Sequence, residues 1–260
     1  MKILQIISLI LFLYAQSYGA VVVLNGLTHV HSMDAGSVIT GKIHIRNNSK
    51  KESRVIVYKQ DLMANCAASI TYQDINSHPH SLANWLKTNV DETLLAPNEE
   101  YMINYTITIP KEQAQKGTYW TVLMVEGAEP IREEANNGIQ VNSKVRYAVQ
   151  VIADLGAYES PKMTFENVSY KKNDTAVNNI EILIKNMGNY SAKVQLLLEI
   201  HDAQGEKIKT FEGLSKRVYP NHCNTYQIEV KDLPKGKYEG VLIADNGKDL
   251  FGSNISLEIE

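Results

Sequence analysis

Pro97-Asn98-Glu99-Glu100-Tyr101-Met102-Ile103-Asn104-Tyr105-Thr106-Ile107-Thr108-Ile109-Pro110 is the stretch from which the fold can be read. Ile103, Tyr105, Ile107 and Ile109 alternate with Asn104, Thr106 and Thr108, and a period of two puts the apolar set on one face of a pleated strand. A segment Gly117-x-Tyr119-x-x-Val122-Leu123 follows. The same order returns later: Pro220-Asn221, an alternating strand with Tyr226, Ile228 and Val230, then Pro234, then Gly236-x-Tyr238-x-x-Val241-Leu242. Upstream of the two copies, Ile43-x-Ile45-Arg46-Asn47 and Ile182-x-Ile184-Lys185-Asn186 each lead into a turn. One structural unit is written twice.

Outward from this repeat the pattern stays the same. Val145, Tyr147, Val149 and Val151 alternate with polar neighbours, as do Ile180, Ile182 and Ile184, and Val194, Leu196, Leu198 and Ile200. Asn47-Asn48-Ser49, Asn186-Met187-Gly188, Ala203-Gln204-Gly205 and Asp245-Asn246-Gly247 are turn signals between such runs. Helical periodicity is confined to the short stretch Ser81 to Lys87. The expected fold is all-β: two immunoglobulin-like antiparallel β-sandwich domains in tandem. The boundary falls where Gly156, Ser160 and Pro161 interrupt the strand pattern, giving units at 20–155 and 156–260. Asn47 and Pro97 are 50 positions apart but Asn186 and Pro220 only 34, so the first unit carries about 16 additional residues, placed within about 61–93. Loops on a rigid sheet tolerate insertion and carry function, which makes this segment the first place to look for a binding surface.

Residues 1–19 read as a signal peptide: Lys2, an apolar run from Ile3 to Leu13, then small or polar residues up to Gly19. No later apolar run is long enough for a membrane span, so the expected location is outside the cytoplasm, in the periplasm, at the cell surface or secreted. Among the 260 residues, 26 are basic and 29 acidic, for a formal net charge of -3. That balance argues against nucleic acid as a partner. An apolar fraction of 44% argues against intrinsic disorder. The only two cysteines, Cys66 and Cys223, exclude a disulfide-dense scaffold. Both a bridge between them and two separate thiols are open, because sequence does not give the distance between their Cα atoms.

No serine-protease-type triad motif, phosphate-binding loop, dinucleotide glycine signature or paired-acid spacing is present, so the expectation is a protein that is not an enzyme and uses no cofactor. His29-x-His31 and His78-x-His80 have metal-like spacing, but no further ligand completes a set, and no metal is expected. Trp85 and Trp120 are candidates for stacking on sugar rings. If Tyr119 matches Tyr238 as the inward residue, strand alternation turns Trp120 outward, whereas Trp85 reads as a pin between the insertion and the sandwich. The provisional binding residues are therefore Trp120, Trp85, His78 and His80, joined by Arg146 and Lys144.

Ser81-Leu82-Ala83-Asn84-Trp85-Leu86, Leu94-x-x-Pro97-x-Glu99, Ile109-Pro110 and Gly117-Thr118-Tyr119-Trp120 resemble the first domain of bacterial WxL-interacting surface proteins. Leu233-Pro234-x-Gly236-x-Tyr238 is similar to their second domain. The resemblance implies two immunoglobulin-like domains on the cell envelope, the first associated with peptidoglycan binding and the second with a host or protein ligand. Those proteins end in a membrane helix and a basic tail, whereas this sequence ends at Ile259-Glu260, which shifts the expectation toward a periplasmic or secreted relative. Periplasmic pilus chaperones have a similar two-sandwich plan and hold a subunit's terminal carboxylate with a cleft Arg and Lys. Arg146 and Lys144 share a strand region here, but no motif transfers those roles. The leading expectation is an exported protein that binds a cell-wall polysaccharide or a surface protein. The alternative is an assembly chaperone that acts by strand addition.

Overall fold

The computed structural model describes residues 21–66, 70–112, 115–128, 131–134, 140–172, 178–202 and 204–259. The expected signal peptide, 1–19, lies outside the described residues. Among these residues the first half holds twelve strands: β1 (Val21–Val23), β2 (Thr28–Met33), β3 (Val38–Asn47), β4 (Ser53–Ala64), β5 (Ile70–Gln73), β6 (Leu86–Thr88), β7 (Glu92–Leu95), β8 (Glu100–Thr108), β9 (Gly117–Gly127), β10 (Ile131–Glu134), β11 (Gln140–Ser143) and β12 (Arg146–Leu155). The second half holds eight: β13 (Met163–Lys172), β14 (Asn178–Asn186), β15 (Ala192–His201), β16 (Lys207–Glu212), β17 (Lys216–Val218), β18 (Cys223–Val230), β19 (Gly236–Asp245) and β20 (Leu250–Ile259). No helix long and apolar enough to cross a membrane occurs among the described residues.

The fold is all-β, with two immunoglobulin-like sandwiches. In the first, the sheet β1-β3-β8-β6 faces the sheet β2-β12-β9-β4-β5, to which β7 adds on β4. Between them lie Ile43, Ile45, Val55, Ile103, Tyr105, Ile107, Leu123, Val149 and Val151, nearly all without solvent exposure. In the second, β13-β14-β18 faces β16-β15-β19-β20, with β17 on β15, around Ile180, Ile182, Ile184, Leu196, Leu198, Tyr226, Ile228 and Leu242. These are the alternating residues of the sequence. Their burial supplies the hydrophobic driving force, about 1.5–3 kcal/mol for each large side chain.

The repeat has a physical counterpart in a buried asparagine. The Asn47 amide donates to Leu95 O, Ala96 O and Lys51 O, and its Oδ1 accepts from Ser49 N. The Asn186 amide donates to Tyr190 O and Val218 O, and its Oδ1 accepts from Gly188 N. Both side chains are fully buried. Each secures a corner in which a second Asn takes a positive φ, 61° at Asn98 and 60° at Asn221. Asparagine tolerates that region better than most residues.

The stretch from Ser81 to Lys87 is not helical. Trp85 N bonds Leu82 O in a single turn and the chain then enters β6. Leu82 and Leu86 are fully buried, so their spacing reflects one turn laid onto the sandwich core. The additional segment of the first unit is likewise no free-standing loop. It supplies the end of β4, all of β5 and β6, and the start of β7.

Candidate functional site

β9 and β12 expose a second face, away from the core of their own sandwich. Strand alternation puts Trp120, Val122 and Met124 of β9 and Ile152 of β12 on that side, where they cluster with Leu62 of β4 and Tyr219 of the second sandwich. Trp120 does face outward from its own sandwich, but it is only 1% exposed. The second half of the chain covers it: Tyr219 stacks on one side at 4.4 Å between ring centroids. His78 stacks on Trp120 at 4.1 Å, and the indole N–H donates to Leu62 O. Burial pushes the Tyr219 hydroxyl well above its ordinary pKa, and that hydroxyl donates to Gln150 Oε1 at 2.7 Å.

Two further contacts hold the halves together. Thr118 Oγ1 donates to Asp154 and accepts from Ser191 N, while Thr118 N donates to Asn189 O. Gly117 takes a φ of 138°, and a Cβ there would stand 2.7 Å from Asn189 O, so glycine permits the close approach. In the second contact, Cys66 and Cys223 form a disulfide with a Cα–Cα distance of 5.0 Å, and Thr225 Oγ1 donates to Cys66 O. The bridge fastens the tip between β4 and β5 to the first residue of β18. Such bonds persist in oxidising compartments, in keeping with an exported protein.

Between the disulfide and the stacked rings lies a cavity of about 230 Å³, lined by Leu62, Ala64, Ile70 and Gln150 from the first half and Lys216, Arg217, Tyr219 and Asn224 from the second. Its charged lining is cationic. Lys216 Nζ donates to Thr225 O and lies over the Tyr226 ring, and burial lowers its pKa. Arg217 donates to Ser191 Oγ.

A second feature is the free edge of β12. β9 pairs with all of β12 from Arg146 to Leu155, whereas β2 pairs only with Gln150–Leu155 on the other side. Gln150 N donates to Leu27 O on the β2 side. Alternation therefore points the Ala148 and Arg146 amides the same way, where no strand pairs with them among the described residues.

The residues singled out in the sequence distribute unevenly. Trp120, His78 and His80 meet at the domain junction, with His80 stacked 5.9 Å from Trp120. Trp85 packs against Tyr119 at 4.6 Å and onto the first core. Arg146 and Lys144 both engage Glu126, at 2.7 and 3.3 Å. Burial alone would raise the Glu126 carboxyl, but hydrogen bonds from Tyr58, Arg146 and Lys144 outweigh it and hold the pKa below the ordinary value. His29 Nδ1 and His31 Nε2 both bond the Tyr105 hydroxyl, at 2.9 and 2.8 Å. Among the described residues, no group of three or more His, Cys, Asp or Glu is arranged to hold a metal. Tyr219, His222, Asp61, Lys216 and Arg217 escaped the sequence reading. Comparing the two corners residue by residue singles out Tyr219 and His222, because Ala96 and Glu99 occupy the corresponding places.

Protein-family models and curated protein sequences give no match to this chain. Among solved structures it is similar to the YadV chaperone, at 10% identity over 92% of this chain and 100% of that one, with a TM-score of 0.47. A chaperone–tip adhesion subunit pre-assembly complex from the archaic chaperone-usher Csu pili of Acinetobacter baumannii matches at 11% identity, over 90% of this chain and 97% of that one, with a TM-score of 0.47. The CupB2 chaperone of Pseudomonas aeruginosa matches at 9% identity, over 92% and 100%, with a TM-score of 0.44. The WxL-interacting resemblance has no counterpart among these structures. The expectation of a protein that binds a peptidoglycan-like polymer is corrected by the burial of Trp120: the ring expected to stack on sugars is 1% exposed and is covered by His78 and Tyr219 of the chain itself.

Proposed function

We propose that this chain is a non-enzymatic periplasmic assembly chaperone, made of a signal peptide (1–19) and two sandwich domains (20–155 and 156–260), that lends the free edge of β12 to an exported surface subunit. The observation that carries this reading is the half-paired β12, whose Arg146–Val149 segment has β9 on one side and no described strand on the other. An incoming extended segment would take main-chain hydrogen bonds from the open side. A natural sheet usually blunts such an edge. The cationic cavity beside Lys216 and Arg217 suits an anionic group of the same partner. One of the similar solved structures is a chaperone with a pilus tip subunit, and the present reading rests on the strand edge.

The experiment is co-purification from the periplasm of the native host, with the partner identified by mass and its abundance followed when this chain is deleted. Ala148→Pro removes one outward amide and leaves the β9 ladder in place, since proline is tolerated on an edge. The expected result is at least a tenfold loss of partner with unchanged thermal stability of the chain. Full retention of a stoichiometric partner by this variant would remove the strand edge from the mechanism.

A further inference from the structure

His78 occupies an unusual position. Its side chain is 3% exposed, its ring lies flat on Trp120, and among the described residues neither ring nitrogen has a hydrogen-bond partner. A buried polar group without a partner is costly, and a buried charge without one is costlier. The surroundings add further imidazoles. His80 stacks on the same indole, and its Nδ1 is also without a partner among the described residues. His222, from the second sandwich, meets Trp120 edge-on at 5.4 Å and His78 at 6.4 Å. Other titratable groups facing this cluster among the described residues are Asp61 from β4, Tyr219 stacked on the indole, and Tyr119 of β9, whose ring lies 5.3 Å from that of His80.

We propose that this junction is a proton-operated catch: neutral His78 lets the two domains close on Trp120, and protonation of His78 in acid opens that contact while the Cys66–Cys223 bridge keeps the halves tethered. The junction fits this role because both halves contribute to it, the first with Trp120, His78 and His80 and the second with Tyr219 and His222. Asp61 opposes the opening, since its carboxylate would attract an imidazolium. However, its oxygens already accept from Ser77 N, Ser81 Oγ and Thr121 Oγ1, and His78 Nε2 stays 3.8 Å away.

The direction follows from burial. Desolvation is the largest influence on His78, and the neighbouring His222 and His80 act the same way; together they outweigh Asp61 and lower the pKa to about 4 from 6.5. His80 is lowered too, chiefly by desolvation. The open arrangement, with its imidazoles in water, takes up protons first. The closed junction is therefore fully favoured above pH 6.5 and loses ground as the pH falls from 6.5 toward about 4. Each unit of the difference is a factor of ten in the closing equilibrium.

The test uses the oxidised protein with Trp85→Phe, so that emission reports on Trp120 alone, titrated from pH 8 to pH 4. A reversible red shift between pH 6.5 and 4 is expected, with far-ultraviolet circular dichroism unchanged. His78→Phe keeps a ring on the indole without a basic nitrogen, and should displace the midpoint by at least one pH unit or abolish the transition. Small-angle scattering of the unsubstituted protein at pH 7.5 and 4.5 is the second measurement, with a larger radius of gyration expected in acid. Flat emission and an unchanged radius would overturn the proposal. So would the same midpoint in His78→Phe, or loss of circular dichroism in step with the red shift, which would make the event global unfolding.

Discussion

At the corner of the first sandwich, Ala96-Pro97-Asn98-Glu99-Glu100 turns in solvent; at the corner of the second, Tyr219-Pro220-Asn221-His222-Cys223 turns against the first sandwich. Two backbone bonds recur: Glu99 N returns to Ala96 O as His222 N returns to Tyr219 O, and Asn47 N reaches Glu99 O as Asn186 N reaches His222 O. The side chains differ. In the first corner, Glu99 caps Ala96 N at 2.7 Å. In the second, the same places carry the ring that stacks on Trp120, the imidazole beside it, and the sulfur that bridges to Cys66. Duplication supplied a stable turn, and three side chains converted one copy into the surface that fixes the domains to each other.

Substitutions at matched positions sharpen that contrast. Tyr219→Ala should have the largest effect, about 3–5 kcal/mol by the measure of large aromatic truncations in cores, because it uncovers Trp120 and strands Gln150. Chemical denaturation should show this as an earlier loss of cooperativity between the two halves. A loss below about 1 kcal/mol would mean that the corner contributes little to the junction. Next come Asn47→Ala and Asn186→Ala, each expected to cost about 2–3 kcal/mol, since each leaves buried carbonyls unpaired. Their near equality is the point: if one corner tolerates the change and the other does not, the two turns are not mechanically equivalent. Glu99→Ala should be smallest, about 0.5–1 kcal/mol for one exposed hydrogen bond, read as a shift of a few degrees in Tm.

The sandwich cores were legible because a period of two leaves little choice: Ile103, Tyr105 and Ile107, like Ile180, Ile182 and Ile184, must share a face, and each set is buried in its core. The direction of Trp120 followed from the same rule. What covers it did not, because alternation says which way a side chain leaves its sheet and nothing about what waits there. Tyr219 is about a hundred residues further along the chain, and no local pattern links the two. The spacing of His78 and His80 did not reveal their role beside Trp120, because they lie in irregular chain between β5 and β6 whose neighbours no pattern gives. The shared partner of Arg146 and Lys144, the Glu126 carboxylate, was not legible either, because it lies on the neighbouring strand. Short strands such as β5 and β6 were not legible for a simpler reason: with three or four residues each, they are too brief for any period to register.

The bridge between Cys66 and Cys223 spans 157 residues, and this sets an order of events. A polypeptide crossing a membrane from its N-terminal end delivers one sulfhydryl long before the other. The earlier thiol must wait, with the hairpin tip beside it unstapled, until the later half has emerged and seated its own turn. Oxidation then records that both halves have arrived and docked.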